Sequence, residues 1–458
     1  MAVGRAGGGA GNAIKAILGN GENIKCAAIG DSFVRLMLGG YTSNDSMYLL
    51  DYGLGLTWTQ AIMGFPLIHN VRSNYGNLDS YAGKIGHNLG KSSDSVAQVV
   101  ARLSDATALQ NVKYWIVSCG TNSLNVASPD LAQIKLDFQT IIDTLLALGG
   151  VVELNTVTPR RAGGWTAGAA AEAACREFNK WMKFTYYPSL VAAGKPVILL
   201  DNYFQCTGAN LRDDCDNAFI ISDTVHPSAK GAFVMGMGRA LALAPYIPID
   251  LTRHWIQEQF NASTAPNGNM LTDAEFSGTS GTNGTGSSGT PPTGWTASRG
   301  SGSTITVAWA AASAPDGGAD AWTRATVTAN GTGVAPEGIR LRSAIISTGA
   351  IAAEYYIAQV QALINEPSVA DLLMGVEIWV NNNTATNRDA ICLRKTDNAW
   401  PNATQELLLL TPAAQANAND DDYYCDIWIY LDGTKTGNVV IDLGRPNLRR
   451  LESAPDYT

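Results

Sequence analysis

The chain has 458 residues, enough for two or three domains. With 46% hydrophobic residues, 16% charged residues and eleven Trp, it can build packed cores, which excludes a disordered or fibrous chain. A formal net charge of −9 is the wrong sign for a phosphate backbone, so no nucleic-acid partner is expected.

The N-terminal stretch MAVGRAGGGAGNA reads as a flexible Gly-rich lead over residues 1–11, without the basic and apolar regions of a secretory signal. No run approaches eighteen uninterrupted apolar residues, so neither a bilayer span nor a membrane partner is expected. From residue 12 to 248, apolar runs (NIKCAAIG, NVKYWIVSCG, GGVVELNTVTP, KPVILLDN) alternate with amphipathic stretches such as DSVAQVVARLSDA and SPDLAQIKLDFQTIIDTLLALG. That alternation predicts βαβ units: a parallel sheet covered by helices on both faces. The run HPSAKGAFVMGMGRALALAP closes the region as a last helix, with Pro227 suited to its first turn.

After Pro248 the composition changes. Residues 249–268 read as a linker, and 269–458 as a second domain. The Gly/Ser/Thr tract within Asn269–Gly302 reads as a long flexible loop. Beyond it seven short alternating runs, from STITVAWA to GNVVIDLG, predict an antiparallel sandwich or jelly roll. Seven cysteines are scattered without zinc spacing, so no metal is expected. Cys206 and Cys215 bracket a short polar loop, where a disulfide and two thiols both stay open.

Four short motifs carry chemistry. Gly30-Asp31-Ser32 follows a strand directly, and the end of a central strand is where open α/β sheets place ligands. On its own, Asp31-Ser32 could equally cap the helix that enters SFVRLML. Asp223-Thr224-Val225-His226-Pro227 precedes the last helix. A serine hydroxyl needs a base that works near neutral pH, and the base needs an acceptor to fix its tautomer. His226 can be that base, and Asp223, three residues before it, the acceptor. Asn122, in Cys119-Gly120-Thr121-Asn122 after the strand KYWIVS, projects an amide at the same sheet edge. Gly90, in HNLGKSSDSV, precedes a helix with its N–H free to point at an anion. A phosphate-loop reading of Gly90-Lys91-Ser92 fails, because its first glycine would fall on Ile85.

In this order the four motifs, over the first 245 or so residues, resemble the SGNH hydrolase superfamily, also called GDSL esterases/lipases. The resemblance implies a flavodoxin-like three-layer αβα sandwich with Ser32 as nucleophile, His226 as general base and Asp223 orienting it. It also implies an oxyanion hole from the Ser32 and Gly90 backbone N–H groups and the Asn122 side chain, with no cofactor. Ser123 stands where many relatives carry Asp. The long segment Gly39–Asn88 is expected to wall the substrate site. The second domain more loosely resembles jelly-roll carbohydrate-binding modules, on NMLTDAEFSG, PPTGW and GNVVIDLGRPNLRRLE; Trp400, in the polar loop TDNAWPNA, is its best candidate for stacking on a sugar.

An esterase joined to such a sandwich points to O-acetyl groups on a polysaccharide. With no signal peptide, a phage tail fibre or tailspike acting at the bacterial surface is the expected setting, where a homotrimer would fit; an exported bacterial esterase is the alternative. A lipase or thioesterase, and a non-catalytic glycan-binding virion protein, are the competing functions. Because all five motif residues precede Pro248, a chain ending there, if it folds, is expected to keep activity on small esters and lose it on polymer.

Overall fold

The computed structural model describes residues 3–4, 8–19, 24–35, 46–49, 54–64, 87–161, 163–207, 224–252, 263–265, 268–271, 273, 275–347, 355–382, 388–393, 403–411, 414–415 and 422–450. The first half contains strands β1 (Val3–Gly4), β2 (Cys26–Gly30), β3 (Ser46–Leu49), β4 (Asn88–Gly90), β5 (Tyr114–Ser118), β6 (Val151–Asn155) and β7 (Val197–Leu200). Its helices are α1 (Gly8–Leu18), α2 (Ser32–Arg35), α3 (Leu56–Met63), α4 (Val96–Ala101), α5 (Leu103–Thr107), α6 (Thr121–Leu124), α7 (Leu131–Ala147), α8 (Ala169–Trp181), α9 (Tyr187–Ala192), α10 (Asn202–Thr207) and α11 (Ala229–Leu243). A π-helical turn, Met182–Tyr186, joins α8 to α9.

Six strands form one sheet in the order β1-β7-β6-β5-β2-β4, all parallel except the edge strand β1. The apolar runs that predict these strands are buried along their whole length because helices cover both faces. Alternation within β5 shows the two layers. Tyr114 and Ile116 pack with Ile14 of α1, Trp58 of α3 and Met235 of α11. Trp115 and Val117 pack with Val99 of α4, Phe138 of α7 and Phe178 of α8. The αβα sandwich expected from the sequence is therefore present.

Local chemistry sets the helix starts. Ser95 and Gln98 form a reciprocal capping box ahead of α4. Ser228 caps α11 through the Gly231 N–H at 3.2 Å, so Pro227 stands one residue before the cap rather than in the first turn. In the middle of the apolar strand β6, Glu153 is buried and paired with Arg239 of α11 at 2.7 Å. Asn155 donates to the same carboxylate, and Arg239 also donates to the Leu54 carbonyl at 2.7 Å. Removing either member would strand a buried charge, so this pair locks α11 and the start of α3 onto the sheet.

The second half is a two-sheet sandwich with strands β8 (Thr282–Asn283), β9 (Ser287–Gly289), β10 (Trp295–Arg299), β11 (Thr306–Ser313), β12 (Ala321–Asn330), β13 (Glu337–Ser343), β14 (Ile346–Ser347), β15 (Tyr355–Ile364), β16 (Leu373–Asn382), β17 (Arg388–Leu393), β18 (Gln405–Leu410), β19 (Ala414–Gln415), β20 (Asp422–Leu431) and β21 (Thr436–Arg450). One sheet runs β3-β17-β16-β20-β13-β10-β8, with β14 on β20; the other runs β18-β15-β21-β12-β11-β9, with β19 on β15. Val376, Ile378, Ile427 and Ile429 of the first meet Val360, Leu407, Leu409 and Ile441 of the second in one core.

One expectation changes here. The Gly/Ser/Thr tract is not a loop throughout: β8, β9 and β10 lie in it. Small residues let the backbones approach; at Gly289, with φ at +80°, a Cβ would overlap the Trp309 carbonyl. Of the segment Gly39–Asn88, expected to wall the substrate site, residues 39–45, 50–53 and 65–86 lie outside the described residues. Strand β3 pairs in parallel with β17, Met47 opposite Asp389, and α3 packs between α11 and β18. A chain ending near Pro248 would lose those partners, so its fold has to be checked by circular dichroism before its activity is read.

Candidate active site

The turn after β2 is built around Gly30. A Cβ there would overlap the Ser118 carbonyl oxygen of β5, so no other residue fits without moving the sheet edge. The Asp31 N–H donates to that same carbonyl at 3.1 Å. The Asp31 carboxylate accepts the Phe33 N–H at 3.0 Å, which turns the chain into α2 and leaves Ser32 at its first position. Ser32 is only 8% exposed.

His226 arrives from the other end of the domain. Thr224 takes a left-handed φ of +68°, and its carbonyl accepts the Arg161 N–H at 3.0 Å. The buried Pro227 and the Ser228 cap fix the chain beyond the histidine. The ring of Phe33 lies 5.3 Å from the imidazole, centroid to centroid. These restraints place His226 Nε2 2.8 Å from Ser32 Oγ, across 194 residues of sequence. With the ring proton on Nδ1, Nε2 can accept the serine proton. Asp223 lies outside the described residues.

Two further motif residues stand at the same edge. Asn122 sits half-buried in the single turn of α6, and Nδ2 donates one hydrogen to the Asp94 carbonyl at 3.1 Å. A primary amide has a second hydrogen, and the Asp94 contact fixes its direction. Gly90 ends β4 close against α2, where a Cβ would overlap the Arg35 backbone nitrogen. Its N–H was expected to be free ahead of a helix. Instead it donates to Asn88 Oδ1 at 3.0 Å, and α4 begins only at Val96.

Several residues that sequence reasoning missed hold this site. Arg160, in PRR after β6, is buried; it donates to Thr121 Oγ1 and O and to the Gly164 carbonyl, and its guanidinium lies 4.7 Å from the Trp165 ring. It thereby ties the start of α6 to the loop carrying Arg161. Arg102 and Asp94 form a second buried pair at 2.7 Å. No spacing signal marks either arginine, because most of their acceptors are backbone carbonyls, which any residue type supplies.

Burial pushes the Asp31 carboxyl up to about 7, against the opposing pull of the Phe33 N–H and the Arg160 and Arg102 guanidinium groups. An acid raised in this way holds a proton in the folded state that the unfolded chain releases. Its contribution is full below pH 4 and is lost as pH rises through about 7. Asp31→Asn, neutral throughout, is expected to gain on the wild type between pH 4 and pH 8, by up to about 4 kcal/mol. Urea unfolding across that range measures the gap; a constant gap would show that Asp31 ionises normally.

In the sandwich, Trp295, Trp309, Trp322 and Trp379 are buried, while Trp428 is half-buried beside Tyr430 and Arg340. Trp400 and Cys215 lie outside the described residues. Among the described residues, no group of three or more His, Cys, Asp or Glu could hold a metal, and no helix is long and apolar enough to cross a membrane.

No family model matches the sequence, and a search of the curated proteins finds no match. Among solved structures, a lipase/acylhydrolase from Enterococcus faecalis is similar over 50% of this chain and 98% of its own, at 15% identity and a TM-score of 0.34. A putative lipolytic protein of the G-D-S-L family from Desulfitobacterium hafniense is similar over 48% and 100%, at 17% identity and 0.32. A structure described as carbohydrate-binding modules from the β-sandwich superfamily is similar over 35% and 57%, at 12% identity and 0.24. Likeness at this level leaves the chemistry to be argued from the side chains themselves.

Proposed function

We propose that this chain is a serine ester hydrolase whose substrate is an O-acetylated polysaccharide of a bacterial surface. The observation that carries the reading is the 2.8 Å approach of His226 Nε2 to Ser32 Oγ at the carboxyl edge of a parallel sheet. In the proposed reaction His226 takes the serine proton as Ser32 Oγ attacks the ester carbonyl. The Ser32 N–H, the second Asn122 amide hydrogen and the Gly90 N–H receive the developing negative charge, the last once the Asn88 side chain swings away from it. His226 then protonates the departing sugar hydroxyl, leaving an acetyl-enzyme. Water that gives its proton to His226 attacks this ester, and acetate leaves with Ser32 restored. Asp223 is assigned to accept the Nδ1–H, and no step calls for a cofactor or metal.

The polysaccharide part of the reading is supported by the attached sandwich, with Trp400 assigned to stack on a sugar ring. The setting we propose is a virion acting at the bacterial surface, with the chain as a homotrimer. The test is acetate release from a panel of O-acetylated bacterial polysaccharides, alongside para-nitrophenyl acetate and decanoate. Acetate from at least one polymer, with acetyl preferred over decanoyl, is the expected result. Preference for decanoate would make the enzyme a lipase, and no hydrolysis of any ester would leave a glycan-binding protein.

A further inference from the structure

The three groups assigned above to the oxyanion come from three separate strand ends, and one side chain touches the support of all of them. Arg102 lies between α4 and α5, largely buried, with its guanidinium aimed at the sheet edge. Its Nη2 donates to the Gly30 carbonyl at 2.6 Å, its Nη1 to the Leu89 carbonyl at 2.6 Å, and its Nε to Asp94 Oδ2 at 2.7 Å.

Each contact has a mechanical meaning. A peptide unit is planar, so fixing a carbonyl fixes the N–H of the next residue. Holding the Leu89 carbonyl therefore sets the direction of the Gly90 N–H. Holding the Gly30 carbonyl fixes the Asp31 N–H and so the start of the turn that carries Ser32, and the Lys91 N–H reinforces it on the same oxygen at 3.0 Å. The Asp94 carboxylate anchors the residue whose own carbonyl orients the Asn122 amide.

We propose that Arg102 is a positioning residue for ester hydrolysis, holding the Ser32, Gly90 and Asn122 donors in one constellation before substrate arrives. This rests on the hydrolase reading above. Only a planar fork with several donors satisfies three acceptors in these directions; an ammonium on a flexible stem cannot. A donor that is free to swing must be reorganised during the reaction, which weakens its transition-state contact.

The experiment compares the wild type, Arg102→Lys, Asn122→Ala and the double variant on para-nitrophenyl acetate, with kcat and KM separated and thermal melts recorded. Arg102→Lys is expected to lower kcat about 10–100-fold with KM within about twofold. Because part of that loss runs through Asn122, the same substitution on the Asn122→Ala background is expected to cost at least threefold less. Hydrogen exchange at the Gly90 N–H should rise in Arg102→Lys while the α7 amides stay as protected as before. Should Arg102→Lys fail to fold, Asp94→Asn is read the same way, with a smaller kcat loss of about 3–10-fold expected. A wild-type kcat, a loss confined to KM, or equal factors on both backgrounds overturns the proposal. A wild type that hydrolyses no ester overturns the hydrolase reading, and this proposal with it; an active wild type with an indifferent Arg102 overturns this proposal alone.

Discussion

Replacing Ser32 by Ala is expected to reduce ester hydrolysis by about 10³-fold or more while leaving the melting temperature within a few degrees of the wild type. The change removes one oxygen atom. Its one hydrogen bond, to His226 Nε2, contributes about 1 kcal/mol of stability. The turn itself depends on Gly30 and on the Asp31 contacts, which Ala leaves untouched. A chemical trap gives the same answer independently. A fluorophosphonate should add one adduct mass to the wild type and none to Ser32→Ala. Labelling of both proteins, or hydrolysis by a folded Ser32→Ala, would move the nucleophile elsewhere.

The second large effect is expected at Asn122. Truncation to Ala should lower kcat by about 10²–10³-fold with little change in KM, because the amide hydrogen meets charge that exists only as the carbonyl is attacked. Stability should fall by no more than about 1 kcal/mol, since the residue is half-buried and the Asp94 carbonyl can recruit water. A rise in KM at constant kcat would mean that Asn122 binds ground-state substrate instead.

The αβα half was legible because its strands are unbroken apolar runs and its helices carry the complementary period. The Ser32 and His226 motifs were legible because each sits at the junction of a strand or loop with a helix. What stayed hidden has a common physical cause. Arg102 and Arg160 donate to carbonyls of other segments, and the Asp94 carbonyl accepts from Asn122; sequence spacing carries no trace of such bonds. Gly90 was identifiable as a turn glycine, but the claim of Asn88 on its N–H depends on a side-chain rotamer. In the sandwich, β15 escaped although Ala358, Val360, Ala362 and Ile364 alternate with Gln359 and Gln361; both glutamines are buried, Gln361 being held by Arg445 and Glu406. The strands of the Gly/Ser/Thr tract escaped because residues chosen for close backbone approach look like those of a linker.

The seating of β3 and α3 on β17 and β18 bears on how the protein is made. Leu54, Leu56 and Trp58 share a core with Leu407 and Leu409, so the ribosome must add some 340 residues before the early segment can find its partners. At about 5–20 residues per second, that interval is on the order of 20–70 s. Throughout it the nascent hydrolase half carries an uncovered apolar edge and an unpaired strand, a state that recruits chaperones or aggregates. Completion of the first half thus waits on synthesis of β17 and β18, and chains released before them are left without the surface that would finish them.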